Sequence, residues 1–130
     1  MVFFFDLDGT IAYSRQQIDN EMLQLLILLI ENYEVNVISG AHETQMHWQL
    51  RSLNERVGLF AQNGNVVYRD GGQTILWKEE LTIQQQATIL THISRLRDAY
   101  QFPQYDTVEI RGAQISLSLV GHHADYQIKK

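Results

Sequence analysis

The first ten residues constrain the chain more than any other stretch. Met1-Val2-Phe3-Phe4-Phe5 is a β-prone apolar run, and it ends abruptly in Asp6-Leu7-Asp8-Gly9-Thr10. An apolar run without polar alternation suits a strand buried on both faces of a parallel sheet. Gly9 marks the turn where that strand stops. Asp6 is therefore expected at the carboxyl end of a central strand, with Asp8 in the turn just beyond. In open α/β sheets the carboxyl edge is where ligands bind. Two carboxylates this close repel one another unless a cation or a shared proton relieves them. A hard divalent ion such as Mg²⁺, held by oxygen ligands of Asp6 and Asp8, provides that relief. Asp and Gly are also ordinary turn residues, and taken alone the tetrapeptide fits either reading. The strand in front and Thr10 behind favour chemistry.

With 130 residues and a hydrophobic fraction of 45%, the chain can form a modest globular core. Its ten Lys and Arg are scattered against a net charge of −5. No basic face can be assembled from them, which argues against nucleic acid and anionic membranes as partners. There is no cysteine, so disulfides and thiolate metal sites are excluded and a cytoplasmic setting is compatible. No basic region precedes the N-terminal apolar run, so a signal peptide is not expected. The apolar stretch around residues 25–30 is too short to span a bilayer. No internal repeat or low-complexity segment is present.

Ser14 and Gln17 have capping-box spacing, and Ile18, Met22, Leu25, Leu26 and Leu29 follow with helical period. A first helix is expected over about 15–32. Glu34 to Ile38 reads as the second strand, and it ends in Ser39-Gly40. A hydroxyl residue and a glycine between strand and helix form a phosphate-binding corner, where free N–H groups add to the hydroxyl. Ser39 would equally serve as an N-cap. A second helix is expected over about 43–56, with Trp48 and Leu50 in its buried stripe. His42 and His47 bracket Glu43, but their five-residue spacing sets the imidazoles around the helix from each other, unlike an i, i+4 metal pair. Leu59 to Ala61 is a third strand. Val66–Arg69 and Thr74–Trp77 then form a hairpin about Asp70-Gly71-Gly72.

Thr82 and Gln85 make another capping box, and Ile83, Ala87, Leu90, Ile93, Leu96 and Tyr100 mark one helical face up to Pro103. Val108 and Ile110, then Ile115, Leu117 and Leu119, alternate with polar residues around Gly112. This is a hairpin with one apolar face and one face carrying Glu109, Arg111, Ser116 and Ser118. Arg111 suits a bidentate phosphate contact, although a Glu109–Arg111 pair on a solvated face fits the pattern as well.

Asp6-Leu7-Asp8-Gly9-Thr10 resembles the DxDGT signature of the haloacid dehalogenase-like (HAD) phosphotransferases, and Val37-Ile38-Ser39-Gly40 resembles their second motif. The resemblance implies Asp6 as the nucleophile, Asp8 as general acid/base and Ser39 as a contact to the transferring phosphoryl group. It further implies Mg²⁺ on the Asp6 carboxylate and the Asp8 main-chain carbonyl. A carboxylate can carry an acyl-phosphate, and the metal screens an incoming phosphate dianion. The fold so implied is α/β: the N-terminal part of a Rossmann-like parallel-sheet core with its hairpin over 1–80, then the beginning of an α+β cap over 81–130.

The second hairpin is similar to the cap of eukaryote-type phosphomannomutases, with Arg111 in the place of a substrate-phosphate arginine and Ser118 and Gly121 matching the following strand. His122 stands where that pattern has a second arginine, Leu119 where it has proline, and Ser39-Gly40 looks closer to the phosphatases. The implied function is Mg²⁺-dependent phosphoryl transfer on a phosphorylated small molecule such as a sugar phosphate, by a phosphatase or a phosphosugar mutase. The alternative is a degenerate HAD-like module that binds a phosphosugar or metal without turnover. Complete enzymes of this kind add a steadying lysine and a further acidic motif after the cap. The chain is accordingly expected to be poorly active alone, and to associate with itself or with a missing C-terminal half.

Overall fold

A computed structural model describes residues 1–70, 73–101 and 107–122. The chain divides into two compact units, Met1–Glu79 and Glu80–Lys130.

The first unit is an α/β sheet built from strands β1 (Val2–Asp6), β2 (Glu34–Ile38), β3 (Gly58–Ala61), β4 (Val66–Arg69) and β5 (Thr74–Lys78), in that spatial order. β1 to β3 run parallel, and β4 and β5 return antiparallel as a hairpin with a register shift between Val67 and Tyr68. Val35, Val37, Leu59 and Ala61 are buried on the face that receives α1 (Asn20–Ile30) and α2 (Glu43–Leu50). Leu23 and Leu26 of α1 and Met46 and Leu50 of α2 complete that core.

β1 is an edge strand and not the central one its composition suggests. Val2 and Phe4 are 52% and 56% exposed. Phe4 meets Phe60 edge to face at 5.1 Å on this open side. Phe3 and Phe5, pointing the other way, stack on each other, and Phe3 also meets Tyr33. An apolar run is ambiguous here, because it records a strand able to be covered on both faces, whatever actually covers it.

The first helix begins later than its capping-box spacing suggests. Asp19 is the N-cap, its carboxylate accepting from the Met22 N–H at 2.8 Å. Ser14 to Ile18 instead forms a loop, with Arg15 at φ 55° and Ile18 buried. α2 ends at Leu50, followed by a 3₁₀ turn, and Arg51 at φ 57° stops the helix well before residue 56. Met46, Leu50 and Leu53 are buried while Trp48 is 54% exposed. At 100° per residue Trp48 falls on the side opposite Met46 and Leu50, so only half of the expected stripe is core.

In the second unit, α3 (Ile83–Tyr100) starts at the expected capping box. Thr82 Oγ1 accepts from the Gln85 N–H at 3.2 Å, and Gln85 Oε1 accepts from the Thr82 N–H at 2.8 Å. Ile93 is the buried residue of this helix, and Ile83, Leu96 and Tyr100 are exposed. β6 (Val108–Ile110) and β7 (Ile115–Leu117) pair antiparallel with Ile110 opposite Ile115 and Glu109 opposite Ser116. Gly112 turns the chain at φ 82°.

One close approach inside the first sheet has a direct stability consequence. A Cβ added at Gly58 would stand 2.1 Å from Asn36 Oδ1, and Asn36 is buried with its amide directed to Glu34 Oε1 at 3.4 Å. Gly58→Ala is therefore expected to lower stability by about 1–3 kcal/mol, read as a lower urea midpoint at unchanged slope. Combining it with Asn36→Ala, which removes the obstructing group, should recover part of that loss.

Candidate active site

The parallel pairing of β1 with β2 sets Asp6 opposite Ile38. The loops that follow both strands therefore leave the sheet side by side, at the carboxyl edge. After Asp6 the chain wraps tightly: the Leu7 carbonyl accepts from the Ile11 and Ala12 N–H groups at 3.2 and 3.0 Å, and the Gly9 N–H donates to Ala12 O at 2.7 Å. Gly9 takes φ 84° inside this turn, a conformation that favours glycine. Leu7 is fully buried beneath it and anchors the loop from below.

The two carboxylates are treated differently. Asp6 is exposed at the strand end, and Thr10 Oγ1 donates to its Oδ2 at 2.9 Å. Its Oδ1 has no protein donor among the described residues. Asp8 is half-buried and held by the chain around it. The Arg15 main-chain N–H donates to Oδ1 at 2.9 Å, and Gln49 Nε2 donates to the same oxygen at 3.0 Å. Ser39 Oγ stands 3.5 Å from Asp8 Oδ2.

Ser39 is buried, and its hydroxyl accepts from the Ala41 N–H at 3.0 Å. This is a local turn of the kind that hydroxyl residues make. The N-cap of α2 is His42, three residues on, so Ser39 does not cap that helix directly. Gly40 lies against Asn63, whose Oδ1 would be 3.4 Å from a Cβ at that position. Asn63 and Gln62 adopt left-handed backbone ahead of Gly64. The Asn63 N–H donates to Ser39 O at 2.8 Å and the Gln62 N–H to Ala41 O at 3.0 Å. The turn after β3 thus braces the Ser39-Gly40 corner.

Asp6, Asp8, Ser39 and Gly40 come together at one sheet edge, as their positions in the sequence suggest. Arg111 and Ser118 belong to the second unit. There the Arg111 guanidinium is largely buried and doubly bonded to Glu109 Oε2, with its Nε at 2.9 Å and one terminal nitrogen closer still. His122, also buried, sets Nδ1 3.7 Å from the same carboxylate oxygen and Nε2 3.3 Å from Ser116 O. The Ser118 N–H donates to Thr107 O at 2.7 Å. The two histidines of the α2 region stand apart in their bonding: His42 faces Glu43 and Thr44, and His47 bonds Asn54.

Gln49 and the Arg15 main chain are members of the candidate site that sequence reasoning missed. Gln49 is completely buried, and a polar residue on the apolar stripe of a helix is the signal that marks it. Arg15 carries no comparable signal, because its contribution is a backbone N–H freed by a left-handed conformation.

The donor set suits a hard divalent ion. Asp6 offers an unshared carboxylate oxygen at an exposed position, and main-chain carbonyls lie in the adjoining turn. Among the described residues no group of three or more His, Cys, Asp or Glu side chains gathers. A site of one or two carboxylates that leaves the ion several waters is the usual setting for Mg²⁺.

A phosphomannomutase from Spinacia oleracea is 24% identical over 98% of the chain, which covers 54% of that protein. Phosphomannomutase 2 from Dictyostelium discoideum is 35% identical over 52% of the chain, covering 28% of the relative. The chain thus spans about half the length of the spinach protein and less of the other. Among solved structures, a haloacid dehalogenase-like hydrolase from B. subtilis superposes with a TM-score of 0.62 at 22% identity, over 74% of this chain and 34% of that one. SMU.1108c from Streptococcus mutans gives 0.60 at 21% identity, over 72% and 35%. These structures share the fold. The family model of the haloacid dehalogenase-like hydrolases matches residues 3–125, and the chain belongs to that family.

Proposed function

We propose that the chain carries the nucleophile and the acid/base of a Mg²⁺-dependent phosphoryl transfer that proceeds through phosphorylated Asp6. The observation that supports this best is the unequal treatment of its two carboxylates at one sheet edge. Asp6 is exposed and keeps one oxygen clear of protein donors, as an attacking group must. Asp8 is held in a fixed orientation beside it, as a proton carrier must be. Thr10 restrains Asp6 from the side of Oδ2, which leaves Oδ1 to attack phosphorus. Ser39, 3.5 Å from Asp8 Oδ2, stands where a hydroxyl can donate to a phosphoryl oxygen.

Asp6 and the Asp8 main-chain carbonyl would hold the Mg²⁺, and that ion supplies charge neutralisation for an approaching phosphate dianion. Asp8 gives its proton to the leaving oxygen, and takes one from water when the phosphorylated Asp6 is hydrolysed. The substrate class is a phosphorylated small molecule, with a sugar phosphate favoured by the similarity to phosphomannomutases. Arg111 and Ser118 of the second unit are assigned to substrate binding, as the phosphomannomutase resemblance implies. This assignment requires Arg111 to exchange its Glu109 partner for phosphate or to hold both, a geometry that guanidinium supports through its two edges. The setting is cytoplasmic, and among the described residues no helix is long and apolar enough to cross a membrane.

The exposed side of the parallel sheet favours association. Val2, Phe4 and Trp77 are each more than half exposed, and among the described residues β1 leaves one edge unpaired. Apolar area and a free edge of this kind are commonly covered by another copy or another segment. In a protein of the relatives' full length, that cover would also stiffen the strand that carries Asp6.

Hydrolysis of p-nitrophenyl phosphate with Mg²⁺ tests the reading. Asp6→Asn is expected to lower kcat by at least about 100-fold, and chelation of the metal should abolish turnover until Mg²⁺ is restored. Turnover that survives Asp6→Asn would rule out the aspartyl-phosphate route. Tight binding of a sugar phosphate with no turnover at all would point to the module without catalysis. Ser39→Ala is expected to weaken inhibition by inorganic phosphate about tenfold, the usual loss for one hydrogen bond to a charged group.

A further inference from the structure

We propose that Gln49 is a positioning residue for Asp8. It fixes the plane of that carboxylate so that Oδ2, and not Oδ1, exchanges the proton. The proposal rests on the phosphoryl-transfer reading of the site, and it names which atom of Asp8 carries the proton and which side chain selects it.

Gln49 is fully buried in α2, and both polar atoms of its side-chain amide have partners. Nε2 donates one hydrogen to Asp8 Oδ1 at 3.0 Å and the other to the Gln16 carbonyl at 3.0 Å, while Oε1 accepts from Gln45 Nε2 at 2.9 Å. A reversed amide would set Oε1 against two acceptors, the Gln16 carbonyl and the Asp8 carboxylate, and a donor against Gln45. The orientation is therefore dictated by its partners.

The main chain adds a further tie, since the Ile18 N–H donates to Gln49 O at 2.9 Å. Gln49 consequently holds the loop after the Asp8 turn at two points and Asp8 at a third. That same loop delivers the Arg15 N–H to Asp8 Oδ1. Both strong donors converge on one oxygen, which leaves its lone pairs engaged. Among the described residues, Oδ2 meets only the Ser39 hydroxyl, at the limit of hydrogen-bond distance. A proton arriving on Asp8 is directed to Oδ2, because protonating Oδ1 would cost the two bonds it already accepts. The carboxylate can then pass that proton from Oδ2 to a leaving oxygen and recover one from water. The atoms balance, and Gln49 exchanges none of its own.

Two measurements test this. The first needs no turnover: NMR of the ¹³C,¹⁵N-labelled chain at one fixed pH, compared with its variants. The Gln49 side-chain NH₂ pair and the Arg15 amide, both bonded to Asp8 Oδ1, are expected to shift together in Asp8→Ala and to hold still in Asp6→Asn. A Gln49 pair unmoved by Asp8→Ala overturns the proposal.

The second compares two esters in Gln49→Met, provided its melting transition is retained. In the rate at which Asp6 is phosphorylated, an alkyl phosphate, whose leaving group must be protonated, should lose about 10- to 100-fold, and p-nitrophenyl phosphate, whose leaving group needs no proton, about tenfold less. Equal losses on both esters in that step overturn the positioning role. Should Asp6→Asn retain turnover, the phosphoryl-transfer reading fails on its own, and the NMR comparison still decides whether Gln49 holds Asp8.

Discussion

The site depends on the register of two parallel strands. β1 pairs with β2 so that Asp6 lies across from Ile38, and this single alignment brings the Asp6–Thr10 turn beside the Ser39–Gly40 corner. A slip by one residue would turn Asp6 to the helix-covered face and remove it from the edge. The register is secured by burial, since Val35 and Val37 of β2 and Leu59 of β3 are almost wholly enclosed beneath the helices. The Ser39 N–H then donates to Phe60 O at 3.0 Å, which continues the ladder past the end of β2. Core packing and site geometry are thus one constraint, expressed at the two ends of the same strands.

Much of this was legible in the sequence where a local pattern and a tertiary role coincide. β2 falls on Glu34–Ile38 because its apolar residues are needed by the sheet and its boundaries by the turn chemistry of Ser39-Gly40. The Thr82–Gln85 capping box and both hairpins hold for the same reason, each being specified by neighbours close in sequence. Asp6, Asp8 and Ser39 share an edge because strand ends in parallel sheets must. The failures share a cause of the opposite kind. The segment 14–18 has the spacing of a helix start, yet it is a loop because its polar groups serve partners far along the chain. The Arg15 N–H goes to Asp8, the Gln16 carbonyl to Gln49 and the Gln17 amide to Trp48 O. Trp48 looked like core because tryptophan is apolar, and only helical phase shows that it points outward. β1 looked central because its composition permits burial on either side.

Gln49 shows how such a loop and such a helix come to depend on each other. A fully buried glutamine is unfavourable unless every polar atom finds a partner, and here the partners are a neighbouring helix residue, a loop carbonyl and the Asp8 carboxylate. The helix gains a polar residue it could not otherwise bury. The loop gains a conformation it could not otherwise hold, with Arg15 left-handed. Locally each choice is poor, and together they close a network in which each polar atom of the Gln49 side chain has a partner. Sites where local preference is overruled in this way are the ones where function is expected to concentrate.

The contrast between the two aspartates matches the roles proposed for them. A nucleophile has to reach a phosphorus atom delivered from solvent, so a position at the strand terminus with one restrained and one clear oxygen is suited to it. Rigid enclosure would oppose its approach. A proton carrier works at short range and gains from a fixed bearing, because proton transfer falls off steeply once donor and acceptor lose alignment. Asp8 has that fixed bearing, from the Arg15 N–H and Gln49 on one oxygen, and its other oxygen turns toward Ser39. Exchanging the roles would place a tethered group in the attack and an exposed one in the proton transfer. The order of the two carboxylates along the chain is therefore set by the fold. The first ends the strand and meets solvent, and the second enters a turn whose surroundings can grip it.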